Sequence, residues 1–214
     1  MDLGLSLALL KEHRYQALED RLAAAGFKPD TNDKGNPSPQ RWICDPSKGI
    51  VVVDLLMPLF ADGASAGKPQ FLTPRLAAFA IPGIELAHLD YEHLRLSGYA
   101  LRGGWAEQDV SVCGPGALVI LKALAFDNRG QNKDAHDLIY VLEAAGLDEV
   151  AGRIKTFPAS VHLDKALDVL RSKFLRADGV GPVRVAQFRG DAGEAVRADA
   201  AGRVRELLRK LGRV

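Results

Sequence analysis

The sequence lacks the features that mark membrane, zinc-binding and disulfide-stabilised proteins. It has only two cysteines, Cys44 and Cys113, and neither has a His or Cys partner at ligand spacing, so it predicts no disulfide framework and no zinc site. The apolar stretch of residues 3–10 is interrupted at Lys11, and no apolar run approaches the length of a membrane span. We therefore expect a soluble, cytoplasmic protein with no membrane partner.

A strong charge of either sign is also missing. The 28 basic and 27 acidic residues give a formal net charge of +1, so no global field favours nucleic acid or membrane. A local excess lies between Leu175 and Val214, where nine Lys and Arg residues oppose five Asp and Glu residues. This segment predicts either a weak phosphate-facing surface or a solvated helix face.

The hydrophobic pattern changes character along the chain. The run Ile50–Leu56 is rich in Val and Ile, which predicts a strand buried on both faces, and shorter strand candidates follow up to Val112. Helical spacing begins near Arg14 and ends at Gly26. We expect an α/β (α+β) fold, in which helices flank a mixed β-sheet.

The second half is predicted to be helical. Two helices, residues 117–128 and 132–145, are separated by Arg129-Gly130-Gln131, and an amphipathic helix over residues 193–211 ends the chain. We expect two domains, a core over residues 1–146 and a helical C-terminal region over residues 147–214.

The first of these helices carries two basic residues on a face that should be covered. Leu118, Leu121 and Ala125 form its predicted apolar stripe, at about 100° per residue. Lys122 and Arg129 fall on the edge of that stripe.

The second helix carries two acidic residues on the face that should be covered. Asp134 and Asp137 come before its apolar stripe in the sequence and lie on the same side of the helix, whereas Lys133 and His136 are expected to point elsewhere. Buried charges must pair, bind an ion or line a cleft. The pattern leaves two hypotheses open: an internal salt-bridge cluster, with Asp134 also capping its helix, or a functional site.

A further carboxylate, Asp54, interrupts the otherwise apolar strand run. It either satisfies neighbouring backbone amides or holds Mg²⁺ at the end of a sheet, since hard oxygen ligands are what this ion prefers.

These residues carry a resemblance to a known family. The string PGALVILKALA (residues 115–125), followed by Arg129 and KDAHDL (residues 133–138), resembles a characteristic region of the AbiEii/AbiGii-type nucleotidyltransferase-like toxins, in the polymerase-β-like superfamily. The strand VVVDLL (residues 51–56) is similar to the family's strand that bears a third carboxylate. The resemblance covers residues 2–146.

The resemblance implies a nucleotidyltransferase core that uses Mg²⁺ and a nucleoside triphosphate. Family members include toxins of toxin–antitoxin or phage-defence systems, some of which add nucleotides to tRNA, so the implied partners are an NTP, an RNA or protein acceptor and an antitoxin. Asp54 would be a metal ligand, and Lys122 and Arg129 would bind the nucleotide. Lys122, Asp134 and Asp137 would form the catalytic set.

One part of the family pattern is missing. Such enzymes grip the triphosphate with a Gly-Ser turn before a strand bearing Asp-x-Asp, and the sequence contains no Gly-Ser. Residues 1–5 resemble the tail of that strand, which would make Asp2 a second metal ligand. Either the chain start is assigned too late or this is a short, inactive relative, and as written the chain is expected to transfer nucleotides poorly.

Two rivals to the transferase remain. A degenerate fold could bind nucleotide, RNA or a protein partner without chemistry. Hydrolase chemistry finds little support, because the five histidines form no triad or metal motif.

Overall fold

A computed structural model describes residues 2–4, 12–44, 49–59, 68–99, 103–191 and 193–213. The chain forms two compact units, Met1–Glu85 and Leu86–Val214, each with its own hydrophobic core. The predicted α+β class is confirmed, because strands dominate the first half and helices the second. The units divide well before the expected boundary at residue 146, since the two helices before that point share the core of the helices that follow.

In the residues that the structure describes, the first unit is a mixed sheet with one α-helix. Its elements are β1 (Asp2–Gly4), α1 (Glu12–Ala24), β2 (Phe27–Thr31), β3 (Pro37–Cys44), β4 (Val51–Pro58), β5 (Pro69–Phe71) and β6 (Ala77–Ile81). The strand order is β2-β3-β4-β6-β5, and β1 pairs with β4 beside that path. Both β1 and β6 run parallel to β4, whereas β3 runs antiparallel to it.

Strand β4 is placed as predicted, but its burial differs. Val53, Leu55 and Met57 are buried, whereas the residues between them are half-buried. The prediction of burial on both faces was wrong. One face packs against Tyr15 of α1 and Trp42 of β3, so the strand follows the two-residue alternation of a sheet with one covered face.

The described part of the second unit contains a β-hairpin and, after it, six α-helices. The 3-10 helix Ile84–His88 spans the point in the chain at which this unit begins. The remaining elements are β7 (Tyr91–Tyr99), β8 (Trp105–Cys113), α2 (Pro115–Arg129), α3 (Asn132–Ala145), α4 (Leu147–Lys155), α5 (Val161–Phe174), α6 (Val180–Arg189) and α7 (Glu194–Lys210). Among the described residues, no helix is both long and apolar enough to cross a membrane.

Helix α2 is the central element of this unit and packs against α3, α4 and α5. Ala117, Ile120 and Ala123 are fully buried, whereas the predicted stripe through Leu118 and Leu121 is only half-buried. The stripe was assigned to the wrong side of α2. A helix covered by three neighbours is apolar over most of its circumference, so periodicity does not locate the most buried side.

The basic C-terminal segment carries mostly paired charges. Arg209 pairs with Glu206, Lys210 with Asp148, and Arg203 with Asp199, at N–O distances of 2.6, 2.5 and 2.8 Å. These contacts favour the interpretation of a solvated helix face over that of a phosphate-facing surface.

A buried carboxylate holds the start of α2. Asp90, 2% exposed, accepts hydrogen bonds from the backbone N–H of Ala117 at 2.8 Å and from Nη1 of Arg153 at 3.2 Å. Its carbonyl oxygen accepts the N–H of Gly114 at 2.8 Å. Asp90 therefore caps α2 from outside the helix and neutralises part of the charge of Arg153.

The close approach of Asp90 explains why glycine occupies the position before α2, Gly114, and a position in its first turn, Gly116. A Cβ at Gly116 would lie 2.6 Å from Cβ of Arg153 and 2.9 Å from Oδ2 of Asp90. A Cβ at Gly114 would collide with the same carboxylate. Both positions need glycine for space.

We predict that Gly116→Ala lowers the free energy of unfolding by about 2 kcal/mol, the usual cost of overpacking. The matched control is Gly152→Ala in α4, where a Cβ meets nothing within 4 Å. That change should raise stability by about 0.5–1 kcal/mol, because alanine favours the helix. Urea denaturation monitored by circular dichroism measures both, and equal effects would contradict the packing account.

Candidate functional site

The connection between α2 and α3 is short and glycine-dependent. Gly130 adopts a left-handed conformation, with φ of 63°, and its N–H donates to the carbonyl of Phe126. Gln131 is the N-terminal flanking residue of α3, in extended conformation. This turn reverses the chain within two residues, so the last turns of α2 lie beside the first turns of α3.

Asp134 is the most deeply buried charge in this region. Its side chain is 1% exposed and accepts two hydrogen bonds from Arg129, from Nε at 2.6 Å and from Nη2 at 2.7 Å. Nζ of Lys122 lies 3.5 Å from Oδ1. Asp134 makes no helix cap, because the flanking residue is Gln131 and α3 has no side-chain cap, so that prediction was wrong.

Asp137 is shared by two lysines. Its Oδ2 accepts hydrogen bonds from Nζ of Lys122 and from Nζ of Lys133, each at 2.7 Å. Burial raises the pKa of Asp137, but the hydrogen bonds from the two lysines outweigh burial and hold that pKa below its ordinary value. Lys133, expected to point elsewhere, reaches forward one helical turn to Asp137 and joins the cluster.

These five residues form what we call the ion cluster: Lys122, Arg129, Lys133, Asp134 and Asp137. Three cations and two carboxylates leave a formal charge of +1. The side chains of Lys122, Lys133 and Arg129 are 21%, 67% and 56% exposed. Asp134 thus lies on the inner side and Arg129 and Lys133 lie toward solvent, while Lys122 and Asp137 are equally half-buried. The net positive charge suits the cluster to attract an anion.

The predicted metal ligands Asp2 and Asp54 lie in the first unit. Strand β1 confirms the predicted strand at the start of the chain, and Asp2 pairs in register with Asp54 on the parallel strand β4. The side chain of Asp2 is outside the part of the chain that the structure describes. On the other neighbour of β4, Arg41 stands opposite Asp54.

The carboxylate of Asp54 is held by Arg41. Nε and Nη2 of Arg41 donate to its two oxygens at 2.6 and 2.8 Å, which is the bidentate geometry of a strong ion pair. Over the described ranges, no three His, Cys, Asp or Glu side chains gather as a metal site would require. Among the described side chains, the partner of Asp54 is the guanidinium of Arg41.

No protein-family model matches the chain, nor does any curated protein or solved structure. The resemblance to nucleotidyltransferase-like toxins therefore rests on the sequence motifs, which the structure distributes over its two units.

We predict that Asp137→Asn lowers the free energy of unfolding by about 1 kcal/mol at pH 7, because Lys122 and Lys133 lose the negative charge of their shared acceptor. The lowered pKa means that the wild-type stabilisation is complete above the unfolded pKa of about 3.9 and is lost as the pH falls through the folded pKa. The two proteins should therefore converge toward pH 3 in urea denaturation. A difference that is the same at pH 7 and pH 3 would contradict this.

Proposed function

We propose that the protein is a nucleotidyltransferase-like module that binds the phosphates of a nucleoside triphosphate at the ion cluster without transferring the nucleotide. The observation that carries the proposal is the position of Lys122. Its ammonium lies 2.7 Å from Asp137 and 3.5 Å from Asp134, and it is fixed at a half-buried place that solvent reaches.

The lysines of the cluster have donors to offer. An ammonium group carries three N–H donors, and the hydrogen bond from Lys133 to Asp137 uses one of them. A phosphate that approaches from the solvent side meets Lys133, which is well exposed, and the half-buried Lys122, which shares Asp137 with it. The carboxylate orients both ammonium groups, so little side-chain entropy is lost on binding.

The non-catalytic part of the proposal rests on Asp54. Nucleotidyl transfer uses metal ions to bridge the phosphates and neutralise developing charge. Both oxygens of Asp54 are engaged by Arg41, which leaves this carboxylate as part of a cross-strand ion pair. The rival proposal is a Mg²⁺-dependent toxin-type transferase that acts on an RNA, such as tRNA, or on a protein acceptor and is controlled by an antitoxin.

We predict that Lys122→Met weakens triphosphate binding at least about tenfold, or about 1.4 kcal/mol. Lys173→Met is the matched control, because Lys173 of α5 also pairs with an aspartate, Asp127, at 2.7 Å and its side chain is 32% exposed. The control should leave binding within about twofold, since Lys173 lies outside the ion cluster although it too loses an ion pair with an aspartate. Isothermal titration with ATP, GTP, CTP and UTP, each with Mg²⁺, measures the affinities.

Three outcomes would count against the proposal. If none of the four triphosphates binds, there is no phosphate site at the ion cluster. If Lys122→Met and Lys173→Met weaken binding equally, the effect comes from the net charge of the protein and not from this site. Robust incorporation of labelled nucleotide into total RNA or protein by the wild-type chain would overturn the non-catalytic part in favour of the transferase.

A further inference from the structure

Three aromatic side chains form a row on the surface of the second unit. His136 and Tyr140 lie on α3, and Phe188 lies on α6. The rings of His136 and Phe188 are stacked, with centroids 4.4 Å apart and planes at 19°, and the ring of Tyr140 lies 6.1 Å from that of His136. Tyr140 is 58% exposed and Phe188 is 45% exposed. We call these three side chains the aromatic row.

An ion pair between α3 and α6 holds the aromatic row in place. Arg189, the residue after Phe188, donates through Nη2 to the two oxygens of Glu143 on α3 at 3.0 and 2.9 Å. The two helices pack on each other along this contact. The stacked rings are therefore arranged before any ligand arrives, so little side-chain entropy is lost when one binds.

The aromatic row begins next to the ion cluster. Tyr140 follows Asp137 by three residues, a spacing that places Cβ atoms about 5–6 Å apart on a helix. It follows Lys133 by seven residues, which at about 100° per residue returns to within about 20° of the same side of α3. Lys133 is 67% exposed, so its ammonium group and the most exposed ring of the row lie on one solvent-facing side of the helix.

An exposed aromatic ring beside a cationic site suits a nucleobase. Every base has a flat π-face that stacks on a tyrosine ring, whichever base it is. The ribose of a nucleotide separates the base from the phosphates, so the two groups need neighbouring sites. An inorganic polyphosphate has phosphates of the same kind but no group that stacks.

We propose that the base of a nucleoside triphosphate stacks on Tyr140 while its phosphates contact Lys122 and Lys133. His136 and Phe188 extend the apolar surface beside the stacked base. Stacking responds to the presence of a base and not to its identity, so the site takes all four nucleoside triphosphates. This inference rests on the proposed phosphate site at the ion cluster and adds the group that distinguishes a nucleotide from a polyphosphate.

Isothermal titration of the full chain with ATP and with inorganic tripolyphosphate, each with Mg²⁺, tests the proposal. Tyr140→Leu removes the ring and keeps a residue that favours the helix. It should weaken ATP binding at least about tenfold, which is within the range for one stacked base, and leave tripolyphosphate binding within about twofold. Tyr140→Phe keeps the π-face and should retain ATP binding within about twofold.

Tyr99→Leu is the matched control. Tyr99 ends β7 and is 83% exposed, so the same change removes an accessible ring from the hairpin and not from α3. It should leave both affinities within about twofold, since no stacked base is lost. Lys122→Met should weaken ATP and tripolyphosphate binding alike, because it removes a phosphate contact that both ligands share. Circular dichroism checks that the variants stay folded.

Proton NMR at saturating ATP gives a second readout. The H2 and H8 signals of the adenine should move upfield on binding, because protons above the face of an aromatic ring are shielded by its ring current. The upfield shift should be kept in Tyr140→Phe and lost in Tyr140→Leu.

The outcomes separate the stacking site from the phosphate site. If Tyr140→Leu binds ATP as the wild type does, while Lys122→Met still weakens tripolyphosphate binding, the stacking proposal is overturned and the phosphate site stands. Equal losses of ATP and tripolyphosphate in Tyr140→Leu also overturn it, because the ring then acts on the phosphate site and not on the base. If neither ligand binds the wild-type chain, both proposals fail. A loss confined to ATP, restored in Tyr140→Phe, supports stacking.

Discussion

The geometry of the second unit depends on the burial of one carboxylate, Asp90. A charged group with 2% exposure is tolerated only when hydrogen bonds and an opposite charge replace water. The amide of Ala117 and the guanidinium of Arg153 supply both, so one side chain joins the base of the hairpin to α2 and α4. Because α2 carries Lys122, the position of the ion cluster follows from the way in which this helix begins.

The local features of the fold were accessible from the sequence. Helices α2 and α3 and the turn between them follow from apolar spacing and from Gly130, and the same reasoning placed Lys122, Asp134 and Asp137 together. The spacing could not predict how exposed each side chain is. Arg129, predicted on a covered edge, is 56% exposed because it reaches Asp134 from the end of its helix.

The non-local features were not accessible in the same way. Arg41 and Asp54 are 13 residues apart, and Asp90 and Arg153 are 63 apart, so their pairing is decided by strand register and helix packing. Neither the strand register nor the helix packing can be predicted from a single sequence. The sequence around Asp54 is compatible both with a metal site and with one half of an ion pair. The register of β3 on β4 is what places Arg41 opposite Asp54.

The two carboxylates of the ion cluster do different work because they lie at different depths. Asp134 is buried and accepts hydrogen bonds from Arg129 at both oxygens, so it links the end of α2 to the start of α3. Asp137 is 22% exposed and uses one oxygen to hold two ammonium groups that solvent can reach. A structural salt bridge and an anion site are therefore not competing interpretations of this cluster, since the ion pair of Asp134 with Arg129 fixes the two helices that carry Lys122, Lys133 and Asp137.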